Sequence, residues 1–124
     1  SEKLTKQNPG LKLNVALNYG GKNDVICSVK KISEKVKNSE LKIDDINSDL
    51  ILNNLMSSDV SDIDLMIRTS GEQRISNFMI WQLLYSELYF TETLWPDFSE
   101  KEYLEALKSY QKRERRFGAS RAYT

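Results

Sequence analysis

The chain has no histidine, a single cysteine and no excess of either charge: Lys+Arg and Asp+Glu are both 18, for a formal net charge of +0. The missing histidine removes the commonest general base and the commonest zinc ligand. One cysteine, Cys27, excludes an internal disulfide and suits a reducing compartment. It falls on the apolar side of an expected helix, where packing is its natural role. With no net charge there is no field to favour nucleic acid over other partners. No apolar run approaches the ~18 residues needed to span a bilayer, and no signal-peptide pattern is visible. A chain of 124 residues amounts to one domain or part of one.

What is present centres on residues 64–87, DLMIRTSGEQRISNFMIWQLLYSE. Asp64 to Thr69 is a short apolar run and reads as a buried strand. Ser70-Gly71-Glu72-Gln73 breaks it. Ile75 to Tyr85 is apolar on nearly every face, which predicts an interior helix with Ser76 and Asn77 at its N-cap. Arg68 would then leave the carboxyl end of a strand while Arg74 and Ser76 enter the next helix. That end of an open α/β sheet is where ligands bind, and a helix N-terminus favours phosphate. Two guanidiniums and a hydroxyl there make a candidate diphosphate cradle, set against the plainer alternative of solvated loop arginines. Glu87 lies between two apolar elements; it reads either as a plain surface helix end or as a carboxylate that calls for a partner, an arginine or a metal ion. Mg2+ takes one or two carboxylates together with substrate phosphates, so it is the metal this arrangement would suit.

The flanking segments read as alternating strands and helices. Residues 1–8 form a helix tail, stopped by Pro9-Gly10. Leu11, Leu13, Val15, Leu17 and Tyr19 alternate with polar residues and predict a strand, ended by Gly20-Gly21. The glycine pair is a turn by default, placed so that it could line the same crevice. Residues 23–37 predict a helix with the stripe Val25, Val29, Ile32 and Val36 inward. Residues 47–56 give a short helix with Leu50, Ile51 and Leu55 inward. Leu88 to Thr93 predicts a third strand, and Leu94 to Phe98 an apolar turn with its aromatics on the core. Ser99 and Glu102 form a capping box for a last helix ending in the basic cluster Lys112 to Arg116. That cluster suits either a helix C-terminus or a substrate-facing role. Three strands alternating with helices imply an α/β fold, part of a mostly parallel β-sheet flanked by helices. A sheet cut short in this way would expose an edge and an apolar face.

Arg68-Thr69-Ser70-Gly71-Glu72-Gln73-Arg74-Ile75-Ser76-Asn77-Phe78, then Trp81-Gln82, Glu87-Leu88-Tyr89-Phe90 and Leu94-Trp95-Pro96-Asp97-Phe98, resemble the signature region of the cis-prenyltransferases, whose bacterial members are undecaprenyl diphosphate synthases or isoprenyl transferases. Asn18-Tyr19-Gly20-Gly21 upstream and the RERRFG run at 113–118 match in order, so the resemblance covers nearly the whole chain. It implies that Arg68, Arg74 and Ser76 bind the diphosphate of isopentenyl diphosphate and that Glu87 helps to hold Mg2+. It also implies that Arg116 and Gly118 belong to a motif reaching across a homodimer, although Ala119-Ser120 stands where many relatives have a second glycine.

The family's Asp-Gly-Asn-Gly-Arg-type loop, which carries the essential aspartate and holds the allylic diphosphate, has no counterpart here. The resemblance therefore implies that residues 1–124 are the C-terminal half of a single cis-prenyltransferase domain, with no catalytic residue of their own. Ser1 in place of an initiator Met agrees with that expectation. The implied reaction condenses isopentenyl diphosphate onto an allylic, farnesyl-type diphosphate, giving the cis-polyprenyl diphosphate that serves as lipid carrier in bacterial cell-wall synthesis. The implied setting is cytoplasmic, at the inner face of the membrane, with peripheral contact through the lipid product and no nucleic acid. Two rivals stand beside this. A non-catalytic subunit would have no need of the full set Arg68, Arg74, Ser76 and Glu87. A generic phosphate binder would need a Gly-rich loop with Lys-Ser/Thr, which is absent.

Overall fold

Helix α1 (Gly21–Lys37) begins directly at the glycine pair and packs against a shorter helix, α2 (Ser48–Asn54). The computed structural model describes residues 5–113. After α2 comes strand β1 (Leu65–Arg68), a long connection, strand β2 (Glu87–Phe90) and helix α3 (Glu100–Gln111). Two 3-10 turns, Ile43–Asp45 and Trp95–Asp97, punctuate the loops. The strands pair in parallel, with Leu65 opposite Glu87 and Arg68 opposite Phe90. Parallel neighbours need a long crossover, and residues 69–86 supply it. The pairing extends beyond the strands, since Ser70 N–H donates to Thr93 O and Gly71 N–H to Thr91 O.

Two expected elements are not there. Residues 75–85 form turns rather than a helix. Ser76, Asn77 and Met79 all adopt positive φ, at 47°, 62° and 41°. A right-handed helix cannot run through left-handed residues, so the connection coils back on itself. The stretch 11–16 has no regular structure, and Leu11, Leu13, Val15 and Leu17 are exposed by 70–96%. A strand needs a neighbour to complete its hydrogen-bond ladder, and the described sheet has only two strands. These apolar side chains are therefore open to solvent on a segment that forms no strand. Trp95 also departs from expectation: it is 74% exposed and stacks on Phe98 instead of entering the core. The capping box of α3 is as read, with Ser99 N–H donating to the Glu102 carboxylate and Glu102 N–H to Ser99 Oγ. A bond from the Thr93 hydroxyl is the main reason the Glu102 carboxyl lies below its ordinary pKa.

The buried face of α1 shares only Ile32 with the expected stripe, whose Val25 and Val36 are half-buried. Val29 is 51% exposed, while Gly21, Asp24, Ser28 and Ile32 are buried. The helix is turned from that stripe by less than the ~100° of one residue, because its polar side chains have partners on the neighbouring segments. Asp24 accepts from Tyr19 Oη at 2.8 Å, from the Met56 amide and from Ser57 Oγ. Ser57 Oγ in turn accepts from Gln82 Nε2 at 2.6 Å. Ser28 Oγ donates to Ile51 O at 2.9 Å. A buried carboxylate is tolerated only when its oxygens are bonded, and this one is bonded from three segments. Apolar burial is thin by comparison, resting on Ile32, Leu55, Met79, Leu83 and Ala106.

Two predictions follow from the Asp24 network. Ser57→Ala should destabilise the chain by about 1–3 kcal/mol, because it strips Asp24 of a donor and leaves the buried Gln82 amide without its acceptor; chemical denaturation measures this. Burial, and then the bond to Asp24, raise the Tyr19 pKa above its ordinary 10.0. A raised pKa contributes stability that is complete below the unfolded value and is lost as pH rises through the folded one. The wild-type melting temperature should therefore fall above pH ~10, and Tyr19→Phe should show a shallower alkaline loss.

Candidate functional site

β1 ends at Arg68, and the crossover curls back so that its backbone and side chains meet that guanidinium. Arg68 Nη1 donates to Ser76 Oγ at 2.8 Å and to the Arg74 carbonyl. Arg68 is half-buried, whereas Arg74 and Ser76 are exposed. The Arg74 guanidinium forms an ion pair with Glu72. So the structure gathers Arg68, Ser76 and the Arg74 backbone at one strand-to-turn connection instead of a helix N-terminus, and leaves the Arg74 guanidinium on Glu72. The helix-dipole argument for phosphate does not apply here. The remaining electrostatics are those of the guanidiniums themselves.

Behind the polar rim lies a cavity of about 240 Å3 lined by Met66, Ile67, Arg68, Ile75, Ser76, Phe78 and Leu83. Its mouth is cationic and hydroxylic and its wall is apolar. Phe78 is steadied by an edge-on contact with Tyr19, ring centres 5.9 Å apart at 78°. Gly71 lies beside the site at φ +70°, and a Cβ there would approach within 2.5 Å of Glu92 Oε2. A side chain at residue 71 would thus be strained as well as crowded.

Glu87 stands apart from this cluster. It opens β2 level with Leu65, while Arg68 ends β1 level with Phe90. Three residues along parallel strands separate the two ends, about 10 Å. Glu87 Oε2 accepts from Arg113 Nη1 at 2.7 Å, so of the two partners left open by the sequence the structure shows the arginine. No group of three or more metal-ligating side chains occurs among the described residues. A single carboxylate suits Mg2+ only in company with ligand phosphates and water, and Glu87 qualifies as that one donor. Arg116 and Gly118 lie outside the described residues.

Sequence reasoning missed Asp24 and read Asn77 only as the N-cap of a helix that does not form. Asp24 carried a signal: with Gly21, Ser28 and Ile32 it forms an i, i+3, i+7, i+11 face as regular as the valine stripe. The signal at Asn77 was its tolerance of left-handed backbone, overlooked because the surrounding residues read as helix.

Residues 1–118 match the family profile described as putative undecaprenyl diphosphate synthase. The chain is 50% identical to a ditrans,polycis-undecaprenyl-diphosphate synthase of Pasteurella multocida over 97% of its own length and 50% of that protein's. It is 53% identical to an isoprenyl transferase of Geobacillus kaustophilus, covering 94% of this chain and 45% of that one. Among solved structures it superposes on the lavandulyl diphosphate synthase of Lavandula x intermedia, in complex with dimethylallyl diphosphate, with a TM-score of 0.90 and 43% identity over 95% of this chain and 51% of that chain. A probable undecaprenyl diphosphate synthase from Campylobacter jejuni gives a TM-score of 0.79 at 36% identity, with 95% and 52% coverage. The chain thus spans about half the length of the curated relatives it matches. On the strength of the profile and of these identities, it belongs to the undecaprenyl diphosphate synthase family of prenyltransferases.

Proposed function

We propose that residues 1–124 are the C-terminal half of a cis-prenyltransferase domain and supply the isopentenyl diphosphate site of an enzyme that condenses it onto an allylic, farnesyl-type diphosphate. The observation that carries this reading is the clasp of Arg68 on Ser76 over a small apolar cavity. A charged mouth with a short apolar wall behind it matches a ligand with a diphosphate head and a five-carbon tail. Arg68 and Arg74 would meet the diphosphate oxygens and Ser76 would donate its hydroxyl. Met66, Ile67, Ile75, Phe78 and Leu83 would cover the tail and keep water from it. Arg74 would have to exchange Glu72 for the ligand. Exposed ion pairs are worth only about 0–1 kcal/mol, so that exchange is inexpensive.

Mg2+ would be held in part by Glu87, released from Arg113, and when bound would offset the diphosphate charge. The protein would act as a homodimer in the cytoplasm, at the inner face of the membrane where its product resides. No helix among the described residues is long and apolar enough to cross a membrane. Arg116 and Gly118 are proposed to add to the substrate contacts.

Calorimetric titration of isopentenyl diphosphate at low salt tests the site. The wild-type chain should bind, and Arg74→Ala should weaken binding by roughly ten- to a hundredfold, the loss expected for a charge-assisted contact of about 1.5–3 kcal/mol. Binding unchanged by Arg74→Ala would contradict the assignment. The 124-residue chain alone should show no Mg2+-dependent elongation of farnesyl diphosphate, since none of its assigned residues holds the allylic partner. Measurable elongation would overturn that division of labour.

A further inference from the structure

Between Ser76, which faces Arg68, and Phe78, which lines the cavity, stands Asn77. Asn77 is anchored on neither of those groups but on the N-terminus of α1. Its backbone carbonyl accepts the Gly21 amide at 2.7 Å, and its side-chain Oδ1 accepts the Lys22 amide at 2.7 Å. The first amides of a helix have no partner within the helix, and Gly20 at the N-cap has no side chain to supply one. Asn77 fills that role from a different part of the chain, 55 residues away. The glycine pair is what lets it approach. A Cβ at Gly20 would lie 3.0 Å from Asn77 Nδ2, and one at Gly21 would lie 3.1 Å from Asn77 O and from Ile80 N. The Gly20-Gly21 turn is therefore fitted to Asn77 and not to a ligand phosphate.

We propose that Asn77 is a positioning residue for the diphosphate cradle: by clamping residue 77 to the start of α1 it fixes the directions in which Ser76 and Phe78 project. The proposal rests on the isopentenyl diphosphate reading of the site. Ser76, Asn77 and Met79 hold left-handed backbone, a conformation that non-glycine residues keep only where surrounding contacts determine it. Two bonds to a 17-residue helix are such contacts. Phe78 adds a third through Tyr19, whose hydroxyl is itself fixed on Asp24. Loss of the Asn77 side-chain bond frees the turn to rotate, and the Ser76 hydroxyl then leaves the Arg68 guanidinium.

The test is isopentenyl diphosphate titration of wild type, Asn77→Ala and Asn77→Asp at matched ionic strength, with thermal melts of each. Asn77→Ala should bind about tenfold more weakly, and Asn77→Asp, which keeps an oxygen for the Lys22 amide, should recover to within about threefold of wild type. If Asn77→Ala does not fold, Asn77→Gly carries the same comparison, because it keeps the left-handed backbone and the carbonyl bond to Gly21. Unchanged affinity in a variant lacking the acceptor overturns the proposal while leaving the site reading intact, and so does an Asp variant as weak as the Ala one. A folded wild-type chain that fails to bind overturns the site reading, and the positioning role with it.

Discussion

The guanidinium of Arg68, bonded to the Arg74 carbonyl and the Ser76 hydroxyl, is the contact on which the arrangement of the site depends. It sits where the sheet ends and the crossover begins, so it joins the regular part of the fold to the irregular part. Asn77 and Gln82 tie the same crossover to α1 and to Ser57, and the Arg68 bonds set where its loop lies over the end of β1. There the Arg68 guanidinium and the Ser76 hydroxyl meet at the mouth of an apolar cavity, and Arg74 joins them through its backbone carbonyl while its guanidinium rests on Glu72. Arginine suits this position because its donors form a rigid fork, so part can hold the protein while part meets an anion.

The scaffold behind that contact is polar to an unusual degree. Asp24 gathers Tyr19, Met56 and Ser57, and Ser57 passes the chain of bonds to Gln82 within the crossover. One network thus links the turn before α1, the end of α2 and the loop that forms the cavity. Gln82 Oε1 is buried without a partner among the described residues, a local cost the network carries. The apolar side chains of Leu11, Leu13, Val15 and Leu17 lie open to solvent. With so few fully buried apolar residues among those described, much of the specificity comes from directed bonds, which fix geometry more sharply than apolar contact does.

How much of this was legible depended on whether a residue's role is local. The capping box of Ser99 and Glu102 was readable because both partners lie in one turn of sequence. The short helix Ser48–Asn54 and the strand ending at Arg68 were readable from apolar pattern. Ile75 to Tyr85 was misread as helix because its composition is apolar all round. Composition does not report that Asn77 is committed to the amides of Gly21 and Lys22. The face of α1 was misread for the same reason: the valine stripe was the more hydrophobic, yet Asp24 and Ser28 had partners waiting on other segments. The likeness to a known family located Arg68, Arg74, Ser76 and Glu87 in sequence. The spacing did not reveal that Glu87 stands at the far end of the strand pair, held by Arg113.

The most direct measurement of the central claim, that the clasp over the cavity is preassembled to receive a diphosphate, is a nuclear magnetic resonance titration of the isotopically labelled chain with isopentenyl diphosphate. The account predicts that the Arg68 side-chain signal and the amides of residues 74–78 shift together and saturate at one equivalent, with the Gly21 and Lys22 amides following through Asn77. Shifts scattered over the basic surface without saturation, or a saturating site elsewhere that leaves Arg68 and Ser76 unmoved, would contradict it.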